Sequence, residues 1–132
     1  MIVLDTHVWV WWLDDPSQVP RNTRKLIAES AQKNSIWISS ISAWEIVRLS
    51  EKGRLKFTID AQDWILKSEA LPFFRFVPVD NVIAMRSVRL TPPFHKDPAD
   101  RIIVATAIVL GATLVTADRR IRQYPHAKTF WK

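Results

Sequence analysis

Five carboxylates carry the chemistry that the chain's spacing makes available. Asp5 and Asp118 each come just after a short apolar run and just before a helical one. Glu45 follows the run Ile36-Trp37-Ile38 and falls in the first turn of the helical period behind it, while Asp97 and Asp100 open the longest helical period in the chain. Strand-to-helix junctions of a parallel α/β sheet share one edge, and ligands bind there. Carboxylates gathered on such an edge repel one another, and each helix N-terminus supplies only about half a positive charge. A divalent cation resolves the repulsion, and a set of oxygen donors suits Mg²⁺ or Mn²⁺. An ion of that kind activates water and stabilises an in-line displacement at phosphorus. The chemistry these residues offer is therefore hydrolysis of a phosphodiester.

Each acid also has a plain structural use. Asp97-Pro98-Ala99-Asp100 reads as an N-cap, a proline at the first helical position and an acid in the first turn. Ser42-Ala43-Trp44-Glu45 matches the capping box S-x-x-E, and Asp118 can cap a helix starting at Arg119. Asp5 fits capping less well, because Thr6 is itself a capping residue. The charge balance bears on the choice. The chain carries 19 Lys and Arg against 13 Asp and Glu, for a net +6, and five of those acids are placed on one rim. Lys96, Arg101, Arg119, Arg120 and Arg122 lie next to them in sequence. Arg101, Arg119 and Arg120 are expected to hold phosphates flanking the scissile one, against the plain alternative of a solvated basic face.

Short apolar runs at 2–4, 35–39, 74–79, 113–116 and 129–131 read as strands. Helical periods lie at 8–13, from 20 to about 31, at 42–52, 61–71, 81–90 and 98–110, with 54–60 open between extended and irregular. Gly53 and Gly111 stand where helices end. Strands alternating with helices, apolar on both faces, predict a three-layer α/β/α sandwich with a four- to five-stranded parallel sheet. The 132 residues suit a single domain spanning 1–132. The absence of Cys excludes disulfides and thiol chemistry. Two glycines are too few for a dinucleotide fingerprint or a phosphate-binding P-loop. No targeting segment or membrane span is visible, so a cytoplasmic protein is expected. Most of the seven tryptophans (9, 11, 12, 37, 44, 64 and 131) are expected in the core, with any excess marking contact surfaces. His7 and His126 fit no catalytic pattern, and His95 is expected to stabilise its loop by a hydrogen bond, with a general acid or phosphate ligand as the alternative.

Four motifs in order, Ile2-Val3-Leu4-Asp5-Thr6-His7, Ser39-Ser40-Ile41-Ser42-Ala43-Trp44-Glu45, His95-Lys96-Asp97-Pro98-Ala99-Asp100-Arg101 and Leu114-Val115-Thr116-Ala117-Asp118, together resemble the PIN-domain ribonucleases, and among them the VapC-type toxins of toxin–antitoxin pairs. The resemblance spans nearly the whole chain. Ala99 stands where many members carry Phe. The resemblance implies Mg²⁺- or Mn²⁺-dependent endonucleolytic cleavage of RNA, with the family's acids at Asp5, Glu45, Asp100 and Asp118. Asp97 is a possible fifth, and Thr116 matches a hydroxyl near the metal or its water. It further implies a homodimer and a cognate antitoxin whose tail reaches the active site. The competing expectation is a non-catalytic PIN-like module that binds nucleic acid or a partner within a DNA-binding repressor complex; an intact acidic quartet weighs against it. An aspartyl-phosphate mechanism of haloacid-dehalogenase type fails because Asp5-Thr6-His7 lacks the second Asp two residues on.

Overall fold

The computed structural model describes residues 1–132. The strands β1 (Ile2–Leu4), β2 (Ile36–Ser39), β3 (Phe74–Val77), β4 (Thr113–Val115) and β5 (Thr129–Phe130) form one sheet in the order β3-β2-β1-β4-β5. All four pairings are parallel. The chain winds outward from β1 through β2 to β3, then returns to β1's other side for β4 and β5. The winding direction therefore reverses beside β1, which makes its C-terminal end the switch point of the sheet.

The helices α1 (Thr6–Asp14), α2 (Arg21–Gln32), α3 (Ser40–Glu51), α4 (Ala61–Glu69), α5 (Asn81–Val88), α6 (Pro98–Leu110) and α7 (Arg119–Arg122) cover both faces. Side chains alternate along β1: Ile2 and Leu4 join one core and Val3 the other. The first core packs Val8 and Trp9 of α1, Ile27 of α2, Ile46 of α3 and Trp64 of α4. The second packs Ile83 of α5, Ile103 and Val104 of α6 and Ile121 of α7. This is the expected three-layer sandwich, with five strands.

Several boundaries depart from expectation. Helix α3 begins at Ser40, and its N-cap is Ser39, whose hydroxyl accepts from the Ile41 N–H. The capping box at Ser42 is therefore not formed. Ser42 is buried inside the helix and Glu45 stands in the second turn, not the first. Strand β3 stops at Val77, because Pro78 has no N–H for the ladder. Residues 54–60 form no strand; they lay Leu55 and Phe57 on the first core, with Phe57 stacked on Trp64 at 4.6 Å between ring centroids. Gly111 ends α6 in the left-handed conformation, φ 64°, where a side chain is disfavoured.

Trp9 is fully buried, yet its indole N–H has no partner. The two facts act in opposite directions on stability. Trp9→Ala is expected to cost about 3–5 kcal/mol through the cavity it leaves. Trp9→Phe also removes the unpaired donor, whose burial costs about 1–3 kcal/mol, and is expected to fall within about 1 kcal/mol of wild type, since that gain offsets the apolar area lost. Urea denaturation of the two variants checks both values.

Candidate active site

The switch point holds a cavity of about 190 Å³ whose lining includes Asp5, Glu45, Asp100 and Asp118. The sequence places these acids on four different elements, and the structure brings all four to one wall. Asp5 follows β1 as the N-cap of α1, Glu45 comes from α3, Asp100 from the first turn of α6, and Asp118 is the N-cap of α7. Asp97 stands beside them, exposed, in a neighbouring groove. Capping and convergence coexist. Asp97 Oδ1 accepts the Asp100 N–H, and Asp118 Oδ1 accepts those of Arg120 and Ile121. Asp5 caps as well, against expectation: its Oδ1 accepts the Thr6 N–H at 2.8 Å. The Thr6 hydroxyl is left free to reach across to α3, where it meets Ser42 Oγ at 2.8 Å and donates to Glu45 Oε1 at 2.5 Å.

Asp5 is 3% exposed. Its second oxygen accepts from Thr116 Oγ1 at 2.6 Å, and Thr116 Oγ1 in turn accepts the Asp118 N–H at 3.0 Å. One hydroxyl thus ties the two ends of the chain's acid set together. His7, to which spacing gave no role, and His95, read as a loop hydrogen bond with a general acid or phosphate ligand as the alternative, join them. His95 Nε2 donates to Asp100 Oδ2 at 2.7 Å, and its ring stacks on Phe94. His7 Nε2 accepts the Ala117 N–H at 3.0 Å. That bond leaves the ring proton on Nδ1, which faces Asp5 Oδ2 at 3.7 Å. A histidine two residues after the first acid is the only sequence trace of this contact.

Among the basic candidates, Arg120 points at the site: its Nη2 lies 3.9 Å from Asp100 Oδ2 and its Nε 4.0 Å from Asp118 Oδ1. Arg119, Lys96 and Arg122 are exposed beside it. Arg101 departs from its expected role. Its guanidinium donates to the carbonyls of Ser87, Val88, Phe94 and His95. It therefore pins the 89–97 loop against α5, and its donors are not available to a phosphate.

The acids pay an electrostatic cost for their company. Burial pushes Glu45 up to about 7; the Thr6 hydrogen bond opposes this, while Asp5, Asp100 and Asp97 add to it. Asp100 is raised by the same burial, with the His95 hydrogen bond opposing it and Asp5 and Asp97 adding to it. As arranged, no three acid or histidine side chains converge closely enough to enclose an ion, because each carboxylate is turned toward a protein donor. The donor chemistry nevertheless fits a hard divalent cation. The site offers carboxylate and hydroxyl oxygens and no sulfur, and two of its acids are raised by conditions that a positive charge would relieve.

An α/β sandwich with an acid-lined cavity at the switch point of its sheet is the class that fold and site define. The chain belongs to the PIN-domain family, whose profile matches residues 2–127. It is 33% identical over 132 residues, 98% of each chain, to Ribonuclease VapC22 of Mycobacterium tuberculosis. Its fold is that of VapBC2 from Rickettsia felis, solved with a promoter DNA fragment (TM-score 0.73, 21% identity, all of both chains). It is likewise that of DNA-bound VapBC from Salmonella typhimurium (TM-score 0.70, 18% identity, 98% and 96% of the two chains).

The raised acids give stability a definite pH dependence. The metal-free folded protein holds a proton on Glu45 that the unfolded chain has released above its ordinary value of 4.5. The group's contribution is therefore full below about 4.5 and is lost as pH rises through about 7. In EDTA, the melting temperature of wild type is expected to fall across this window more than that of Glu45→Gln. Parallel curves would show that Glu45 titrates as an ordinary carboxylate.

Proposed function

We propose that the protein is an endoribonuclease toxin that hydrolyses RNA phosphodiester bonds with the aid of Mg²⁺, for which Mn²⁺ can substitute, and that a cognate antitoxin holds it in check. The observation that carries this reading is the convergence of Asp5, Glu45, Asp100 and Asp118 on one cavity in a PIN-domain chain. The resemblance to a ribonuclease over 98% of both chains supports the substrate, and the solved VapBC complexes support the partner.

In this reading Asp5, Glu45, Asp100 and Asp118 would hold the cation, which when bound would supply Lewis acidity and a more acidic water. Thr116 and His7 orient Asp5, and His95 orients Asp100. Arg119 and Arg120 bind the phosphates on either side of the cut. No helix is long and apolar enough to cross a membrane, and the proposed site of action is the cytoplasm. The proposed assembly is a homodimer carrying the antitoxin. The exposed apolar stripe Val82, Met85 and Val88 on α5 is the surface this reading gives to protein contact.

Asp5→Asn, Glu45→Gln, Asp100→Asn and Asp118→Asn are each expected to lose most RNA cleavage while keeping a native circular dichroism spectrum, since Asn caps helices about as well as Asp. Full activity in any two of them would remove the site assignment. Mg²⁺ at about 100 times its dissociation constant should stabilise wild type by about 2.7 kcal/mol and barely move the four variants, as read from thermal melts at constant ionic strength. Arg119→Glu combined with Arg120→Glu should weaken RNA binding and flatten its salt dependence, through loss of counterion release. An unchanged salt slope would return both to a solvated face.

A further inference from the structure

A groove of about 570 Å³ runs beside the acid-lined cavity, with Trp44, Arg48, Lys52 and Arg54 on one wall and Asp97 and Pro98 on the other. The two hollows are contiguous, since both are lined by Glu45, Leu49 and Arg54.

Trp44 is the exception among the tryptophans. Trp9 and Trp64 are buried, and Trp11, Trp12, Trp37 and Trp131 pack against the cores, whereas Trp44 is 52% exposed on α3. The guanidinium of Arg48, one turn further along, lies 5.0 Å from its ring centroid and steadies it. Arg48, Lys52 and Arg54 are exposed, and none is within salt-bridge distance of a carboxylate, although Glu45 and Asp97 line the same groove. The fold thus leaves three cations without carboxylate partners, one of them seated over one face of Trp44, beside an exposed indole leading out of the acid cavity. A single-stranded polynucleotide uses this combination: bases stack on aromatic side chains and cations track the backbone. Five of the groove's ten lining residues are charged, three cations against Glu45 and Asp97, and so polar a lining suits a phosphate-bearing strand better than the apolar face of a protein helix.

We infer that this groove is the subsite for the nucleotide next to the scissile phosphate, with its base stacked on Trp44 and its phosphate held by Arg48 and Arg54. The inference rests on the RNA-cleaving reading above and names residues outside the acid and arginine sets of that reading.

The test uses the Asp5→Asn protein, which binds without cutting, and a short fluorescein-labelled single-stranded RNA followed by anisotropy. Adding Trp44→Ala should weaken binding about tenfold, while Trp44→Phe should retain most of it. Arg48→Ala should flatten the salt slope by about 0.7, the contribution of one phosphate on a single strand. An RNA with an abasic nucleotide beside the cleaved bond should bind the Trp44 protein about tenfold more weakly than intact RNA. The same RNA should bind the Trp44→Ala protein no more weakly than intact RNA does. Melting curves confirm that each variant is folded. Unchanged affinity in Trp44→Ala, or independent losses from the substitution and the abasic site, overturns the subsite while leaving the RNA-cleaving reading intact. Loss of antitoxin affinity with RNA affinity kept assigns the groove to protein contact and also overturns it. If wild type cuts no RNA and the Asp5→Asn protein binds none, the underlying reading fails and the subsite with it.

Discussion

Burying a carboxylate at the end of the central strand costs free energy unless its oxygens find donors. Asp5 meets this constraint with the Thr6 N–H on one oxygen and the Thr116 hydroxyl on the other. The second bond requires β4 to end beside β1 in the register that pairs Leu4 with Val115. A slip of one residue would turn Thr116 to the opposite face. Because Thr116 also receives the Asp118 N–H, the same register sets where α7 starts and where its N-cap points. The sheet's central pairing and the geometry of the acid cavity are thus one constraint seen from two sides.

Around that fixed point the site keeps its remaining acids under tension. Glu45 and Asp100 come from helices on opposite faces of the sheet, since Ile46 packs in one core and Ile103 in the other. Neither helix can retreat without opening a core, so the repulsion between the acids is borne by the packing. A metal-free site of this kind is destabilised by the charges it needs, and the fold tolerates this through the Thr6 and His95 hydrogen bonds that partly offset it. Stability given up locally becomes affinity for whatever positive charge enters the cavity.

The layer order, the parallel sheet and the grouping of the four acids were legible in the sequence, because apolar period and strand-to-helix junctions are local signals. What escaped was set by long-range partners. Ser42-Ala43-Trp44-Glu45 satisfies the capping-box pattern, but the N-cap of α3 is Ser39, three residues earlier, and this turns Glu45 from a cap into a wall of the cavity. Arg101 follows an acid and reads as a phosphate contact, whereas carbonyls 6 to 14 residues before it take its donors. His95 and Asp100 are close in sequence, but only the fold of the intervening loop shows which atoms meet. Composition alone could not say which tryptophans lie outside the core, and it is the phase of α3 that exposes Trp44.

The hydroxyl that joins Asp5 to the far end of the chain spans 111 residues. A nascent chain that lacks β4 has no Thr116 to complete Asp5's hydrogen bonds and no Asp118. The cavity is therefore complete only when the last sixth of the sequence has docked. Closing a contact this distant in sequence carries a loop-closure cost that local contacts do not. In the proposed RNA-cleaving role that dependence is a safeguard: a fragment released before β4 carries no finished cavity, and the complete chain gains it together with the surface an inhibitor would grip.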